Sequence, residues 1–535
     1  MNLNLFDTYL KKDISISLDH TIKMYSCGPT VYSYLHIGNV VAVLMPELIA
    51  NTIKYSGGEV NWVLNVTDLG HLTDDGDNGE DKMEKGARKD SKTAKEVAEF
   101  YYSDFKVQLD RLNIDYPTGF NNPLASDYIY EQMYIALHLL KNKRAYIDED
   151  GIYYDSSVNM DIDRSYLPKS NGSSEYTDRD IVNATKDPED FALWKFVSES
   201  SLQKYRFEDF SLLRDLECPS EIKSLWGCPG WHTECVAMIG AVLGIGKNYK
   251  PNDFSFDQFK GKNIIDIHTG GEDHIEIHHK NEILQSLSLG FKLSKYWVHN
   301  RHLKVDNQKM SKSVGNSFNV EGDASKTGFD SIVGKGFNPL AFRLLFLEHS
   351  YQEQINFTWD KLAQSENRLF SIYKLAACIE SLNSVEISTE LQDIENKINP
   401  RYFVHNESEI SNESNPVVEF NDELESKFET ILLNQLNTRE ALELFQKILT
   451  DTVTNITKGE IDQKTVNSLF RIDSTIFKLN IFQPISQINH NLLLNRQEAK
   501  NNKNYQLSDE IRDELIANGY VVDDYKWGSG LWKKR

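Results

Sequence analysis

TIKMYSCGPTVYSYLHIGNVVAVLMPELIANTIKYSGGEVNWVLNV, residues 21–66, decides the fold. Residues 21–26 alternate as a strand does, and residues 38–55 carry apolar side chains at helical spacing until Gly57 and Gly58 halt them. Residues 60–66 then read as a second strand. Strand, helix, strand is the repeating unit of a parallel sheet with helices on its faces, so the expected class is α/β with a Rossmann-like nucleotide-binding core. Within this unit CGPTVYSYLHIGN, 27–39, falls where the first strand ends and the helix begins. Free backbone N–H groups and the helix dipole favour an anion there. Gly38 lets a nucleotide approach the backbone, and the His36 imidazole can donate to a phosphate oxygen. Taken alone, the tetrapeptide 36–39 fits a plain capped helix start at least as well.

Working outward, residues 73–92 are crowded with Asp, Gly, Glu and Lys and read as a solvated loop before a helix at 93–112. Residues 115–225 look like an insertion, with a helix near 129–143, a hairpin at 145–154 and a Ser-, Asn- and Asp-rich middle, 159–187, expected to be mobile. After Trp226 the sheet units resume, with a helix at 232–243, a strand at 263–267, a helix at 273–289 and a strand at 296–302. The nucleotide-binding domain is therefore split in two. From Pro339 onward helical patterns dominate, broken by the polar stretch 406–415, and a last helix at 501–518 leads into a segment with Trp527, Trp532 and a basic end.

Composition narrows the class. At 535 residues with 40% hydrophobic and 26% charged, the chain supports several cores. No apolar run approaches the roughly 20 residues a bilayer needs, which predicts no membrane partner. Five scattered cysteines (Cys27, Cys218, Cys228, Cys235 and Cys378) suit a reducing compartment, and a cytoplasmic location is expected. A net charge of -22 argues against indiscriminate nucleic-acid binding, so any RNA contact must use local basic patches, such as Lys304, Lys309 and Lys312 or residues 533–535.

The second chemical motif is KMSKS, 309–313. Lys309 and Lys312, in a loop rich in Ser and Gly, can swing onto the β- and γ-phosphates of ATP and stabilise departing pyrophosphate. Found in this order with HIGN, 36–39, it makes the chain resemble the class I aminoacyl-tRNA synthetases. Three further stretches narrow the resemblance: Cys27 itself, PGWHTEC at 229–235 and DIHTGGEDHIEIHHKNE at 266–282. Together with NVTD at 65–68, DFALWK at 190–195, LNTREAL at 436–442 and SDEIRDEL at 508–515, they are similar to the cysteinyl-tRNA synthetase family along nearly the whole chain.

The resemblance implies a zinc ion, one per chain, held by Cys27, Cys235, His278 and Glu282. His278 and Glu282 lie four apart on one helix face, which suits a shared ion, but no spacing groups all four. Cys228, His232 and His279 rank second as ligands. Zinc deprotonates a thiol that is otherwise acidic only near pH 8.5, so cysteine can be chosen over serine by about 10⁴, roughly 5.5 kcal/mol, without an editing site. The same resemblance implies that Thr67, Trp231 and His268 line a cysteine pocket. It places Gly38, Gly270, Gly271, Asp273 and Lys312 on ATP, used with magnesium, and gives catalysis to His36, Asn39, Lys309 and Lys312. Asn39 stands where many class I enzymes have a second His; it can donate but carries no charge. The expected partners are cysteine, ATP and cysteine tRNA, and the chain is expected to be a monomer.

The expected domain plan follows from it: residues 1–114 and 226–303 form the two catalytic halves, 115–225 the connective insertion, 304–345 the KMSKS loop and a region meeting the tRNA stem, 346–490 an all-α anticodon-binding bundle, and 491–535 a small α+β C-terminal domain. Asp509, Arg512 and Asp524 are candidates for reading bases, with Trp532 as a stacking face. Two other readings stay open: a relative that joins cysteine to an amino sugar, and a silent paralogue that only binds RNA.

Overall fold

A computed structural model describes residues 1–69, 93–158, 167, 187, 189–211, 213, 216–310, 315–328, 330–380, 418–458, 460, 462–482, 487–525 and 529–533. The readings made for 73–92, for most of 159–187, for 406–415, for Trp527 and for Lys312 lie outside those residues. The chain divides into two compact units. The first comprises residues 1–110, 115–303 and 351–354, and the second comprises 111–114, 304–350 and 355–535.

The first unit is built on a four-stranded parallel sheet in the order Lys292–Asn300, Asn263–Gly271, Ile22–Ser26, Val60–Leu64. The fold is α/β with a Rossmann-like sheet, as expected. The helix Ile37–Tyr55 joins one pair of strands, and the helix His278–Ser288 joins the other. Ile22–Ser26 and Asn263–Gly271, neighbours in space and far apart in sequence, mark where the strand order reverses. In such sheets the carboxyl ends of the strands at that reversal form the ligand crevice. Cys27 follows directly on the first of these strands, and His268, Gly270 and Gly271 end the second.

Ile37–Tyr55 is long and apolar enough to span a bilayer, yet most of it is buried inside the protein, as a core helix is. Two strands differ from expectation. Asn263–Gly271 runs four residues beyond the expected 267, and the last strand occupies Lys292–Asn300, where 296–302 was expected. The helix expected from 273 begins at His278, because residues Glu272–His274 make a tighter 3₁₀ turn first. At its other end Gly290, at φ 90, closes the helix early and lets the next strand start sooner.

A second, antiparallel sheet belongs to the insertion: Ala145–Asp148, Gly151–Tyr154, Phe191–Phe196 and Gly227–Pro229. Its last strand leads through Gly230 into the helix Trp231–Met238, and a Cβ on Gly230 would sit 2.0 Å from the Ala192 carbonyl oxygen. Only glycine allows the approach that places Trp231 and Cys235.

The second unit is mostly helical, with Pro339–Leu347, Trp359–Glu380, Asp422–Leu433, Thr438–Ile456 and Gln463–Ile472. Asn338, Asn421, Asn437 and Asp462 cap four of these, each side chain accepting from a backbone N–H of the first turn. Gln487–Asn501, Tyr505–Ala517 and the hairpin Tyr520–Asp524/Ser529–Lys533 follow, with Ile511, Leu515, Tyr520, Val522 and Leu531 as a small core.

Candidate metal centre and active site

Four elements of the first unit converge at the carboxyl edge of the parallel sheet. Cys27 comes from the end of one strand, His268 from its neighbour, Cys235 from Trp231–Met238, and His278, His279 and Glu282 from one face of His278–Ser288. One group of atoms within metal-binding reach is Cys27, Cys235, His278 and Glu282, the four residues that the resemblance implied. A second, overlapping group is Cys27, His268, His279 and Glu282. Cys27 Sγ lies 3.8 Å from Cys235 Sγ and 3.3 Å from His279 Nε2, and Cys235 Sγ lies 3.4 Å from His278 Nε2. Glu282 bridges the groups, its oxygens 3.0 Å from His278 Nε2 and 3.0 Å from His268 Nε2.

The donor chemistry fits a cation. Both Glu282 oxygens and both His268 nitrogens are buried without an aligned hydrogen bond, although they approach to 3.0 Å. Side chains whose lone pairs face a common point pack this way, whereas a salt bridge would aim a proton at the oxygen. Two thiols, an imidazole and a carboxylate make a mixed sulfur, nitrogen and oxygen set suited to zinc. His278 and His279 are each braced on the far side of the ring, as ligating histidines commonly are. His278 Nδ1 lies 3.1 Å from His232 Nδ1, while His279 Nδ1 lies 2.7 Å from His299 Nε2, whose Nδ1 meets Thr8 Oγ1 at 3.0 Å.

Electrostatics favour anionic donors. Burial pushes the Cys27 thiol up, but its hydrogen bond with Cys235 and the charge on His278 overcome that and hold it well below the usual range. Burial and the same hydrogen bond push the Cys235 thiol well up. Burial opposes protonation of His278, yet Glu282 and Cys27 carry it up to about 10. Burial raises Glu282, and His278 with His268 outweighs it, holding the carboxyl down. A divalent cation among these donors would supply the positive partner that their anionic forms need.

Around this centre, Trp231 stacks on His278 with ring centroids 4.3 Å apart, and His268 stacks on Trp297 at 4.6 Å. Thr67 is buried and accepts from Asn65 Nδ2 at 3.3 Å. On the phosphate side, the His36 backbone N–H donates to Asn39 Oδ1 at 3.0 Å, so Asn39 fixes the start of its helix. A Cβ on Gly270 would lie 2.6 Å from His274 Nδ1, so this glycine admits the imidazole cluster. Asp273 is exposed and faces His302 Nε2 at 2.7 Å, and Gly271 has open space over its Cα.

Residues 14–367 match the family described as tRNA synthetases class I (C) catalytic domain. The cysteine–tRNA ligase of Treponema denticola is 31% identical over 563 aligned positions, covering 100% of both chains. That of Borrelia garinii subsp. bavariensis is 30% identical over 99% of each chain, and that of Novosphingobium aromaticivorans is 28% identical over 94% of this chain and 90% of its own. The chain belongs to the class I cysteine–tRNA ligase family.

The remaining candidates sit in the second unit. Lys309 is exposed in the short strand Gln308–Lys309, its carbonyl accepting from Asn316 Nδ2 at 3.1 Å. Asp509 and Arg512 are exposed on Tyr505–Ala517. Trp532 departs from expectation: it is buried, its ring 5.3 Å from Phe370 and its Nε1 donating to Asp523 Oδ2 at 2.7 Å. It packs where an open stacking face was expected. Asp524 is likewise engaged within the protein, by Arg496 at 2.6 and 3.0 Å and by Ser529 at 2.6 Å. Of the second-ranked ligands, His279 enters the overlapping donor group and His232 braces His278, while Cys228 joins neither group found among the described residues. Tyr25 and His299 carry no motif signal of their own, and Asn65, though it opens the NVTD stretch, is given no role by it; the fold shows all three near the cluster.

Proposed function

We infer that the chain activates cysteine with ATP, releasing pyrophosphate, and transfers the cysteinyl group to its tRNA. The observation that carries this reading is the meeting of Cys27, Cys235, His278 and Glu282 at the carboxyl edge of a Rossmann-like sheet, in a member of this family. We assign one zinc ion to those four residues. Bound there, zinc supplies a soft Lewis acid that accepts a thiolate in preference to a hydroxyl.

The protein's own groups account for the rest. Trp231, stacked on His278, would shield the cysteine side chain from water, and the buried Thr67 and His268 would complete the pocket. His36, held by Asn39 at the start of Ile37–Tyr55, donates toward the α-phosphate as charge builds. Gly38 and Gly271 leave room for the nucleotide, Gly270 seats the imidazoles beside it, and Asp273 lies toward the ribose hydroxyls. Lys309 and Lys312 neutralise departing pyrophosphate together with magnesium. Asp509 and Arg512 remain the tRNA-facing candidates, and the domain plan set out above, a monomeric state and a cytoplasmic location complete the proposal.

Incubation with labelled cysteine, ATP and unfractionated tRNA tests it. Label in precipitable RNA, with cysteine-dependent exchange of pyrophosphate into ATP, is the expected result. Label in an amino sugar, or no exchange from folded, metal-replete protein, would overturn it.

A further inference from the structure

Asn65 is 1% exposed and lies in the turn after the strand Val60–Leu64. It spans a gap that the backbone ladder does not close. Its Oδ1 accepts from the Gly28 backbone N–H at 2.7 Å, and its Nδ2 donates to Thr67 Oγ1 at 3.3 Å. Around it the two segments run main chain against main chain. Thr67 N donates to Pro29 O at 3.0 Å, Val31 N donates to Thr67 O at 3.1 Å, and a Cβ on Gly28 would fall 1.6 Å from Asn65 O. The outer side is closed as well, with Asn122 Nδ2 donating to Leu64 O at 2.6 Å and Ser126 N donating to Asp68 Oδ1 at 2.9 Å.

One amide thus ties the residue after Cys27 to the hydroxyl of Thr67, itself 2% exposed. A hydroxyl held only by solvent would sample several rotamers. Here the hydroxyl and the Asn65 amide that bonds it are both buried, so its direction is set before any ligand arrives.

We propose that Asn65 is a positioning residue for amino-acid selection: it orients Thr67 and locks the Cys27–Gly28 turn against it, so that side chain and thiol site are presented in fixed register. This deepens the reading above, resting on Thr67 as part of the cysteine pocket. Among the described residues the Asn65 side chain bonds Gly28 and Thr67 and none of the four proposed ligands, so it acts on binding more than on chemistry.

The test is a double-mutant cycle read by cysteine-dependent pyrophosphate exchange, with zinc per chain and thermal midpoint measured on each protein. Asn65→Ala should raise the KM for cysteine about ten-fold, the order expected for a buried hydrogen bond, with kcat within about two-fold and zinc unchanged. Thr67→Val should also raise the KM for cysteine, and the double variant should fall clearly short of the combined effect of the two, since the bond between Asn65 and Thr67 is lost in both. Asn65→Ser, which is polar but too short to reach both partners, serves if the alanine variant does not fold. Unchanged KM in a folded Asn65 variant, additive effects with Thr67→Val, or lost zinc would each overturn the proposal. Exchange by the parent chain separates this outcome from the wider one: an active parent with an indifferent Asn65 sinks only the positioning role, whereas an inactive, metal-replete parent sinks the ligase reading.

Discussion

Replacing Gly28 by alanine tests how tightly the metal centre depends on one backbone approach. The added Cβ would lie 1.6 Å from Asn65 O and 2.7 Å from Asn65 C, about 2 Å short of ordinary contact with the oxygen. The atoms in the way are main chain, so no rotamer change relieves the overlap. Two segments must part, and parting breaks the 2.7 Å bond from Gly28 N to Asn65 Oδ1. Overpacking costs about 1–3 kcal/mol and a buried, unsatisfied N–H about 1–3 kcal/mol, giving roughly 2–6 kcal/mol in all. That is a large share of the roughly 5–15 kcal/mol of a typical domain. The displaced atoms adjoin Cys27, so metal affinity should fall with stability. Chemical denaturation, zinc per chain and the KM for cysteine measure the three consequences. A Gly28→Ala protein with the parental midpoint, a full zinc complement and an unchanged KM would refute the reasoning.

Other expectations follow from the same geometry. Cys235→Ser should lower zinc below one per chain and blunt the preference for cysteine, whereas Lys312→Ala should slow adenylation at unchanged zinc; full metal in the first variant would remove Cys235 from the ligand set. Arg496→Leu should loosen the C-terminal hairpin by about 1–3 kcal/mol, the upper part reduced because Asp524 is part-exposed, as hydrogen exchange in Tyr520–Asp524 would report. Hydrogen bonds from Arg496 hold the Asp524 carboxyl well below its usual range, so this contribution is complete above pH of about 4 and lost as pH falls below it. A hairpin whose protection is indifferent to acid in the parent protein would contradict that pairing.

The parts of the molecule that were legible in the sequence are those governed by local periodicity. Residues 21–66 alternate, then run at helical spacing, then meet Gly57 and Gly58, and each signal became the element it implied. The N-terminal hairpin Asn2–Asp7/Lys12–Ser17 carries a signal of the same kind: Leu3 and Leu5 face Ile16 and Ile14 at period two, and all four are buried. The metal cluster was a different case. Cys27 and Cys235 are 208 residues apart, and nothing in their spacing says that a strand end and a distant helix meet at the edge of one sheet. Only likeness to a family grouped them. Burial of titratable groups was equally invisible, since His279 and His299 read as polar and lie in the core. Trp532 failed for a simpler reason. An aromatic ring near a basic end serves stacking or packing alike, and the hairpin register that sets Trp532 opposite Val521 exists only once the chain has folded.

The central claim is that a metal held by Cys27, Cys235, His278 and Glu282 decides which amino acid is activated. The most direct measurement is the ratio of cysteine- to serine-dependent pyrophosphate exchange before and after complete removal of the ion by a chelator, with zinc then restored. A ratio that collapses toward unity and recovers on zinc addition is predicted. A metal-free protein that keeps discriminating as well as the loaded one would contradict the account.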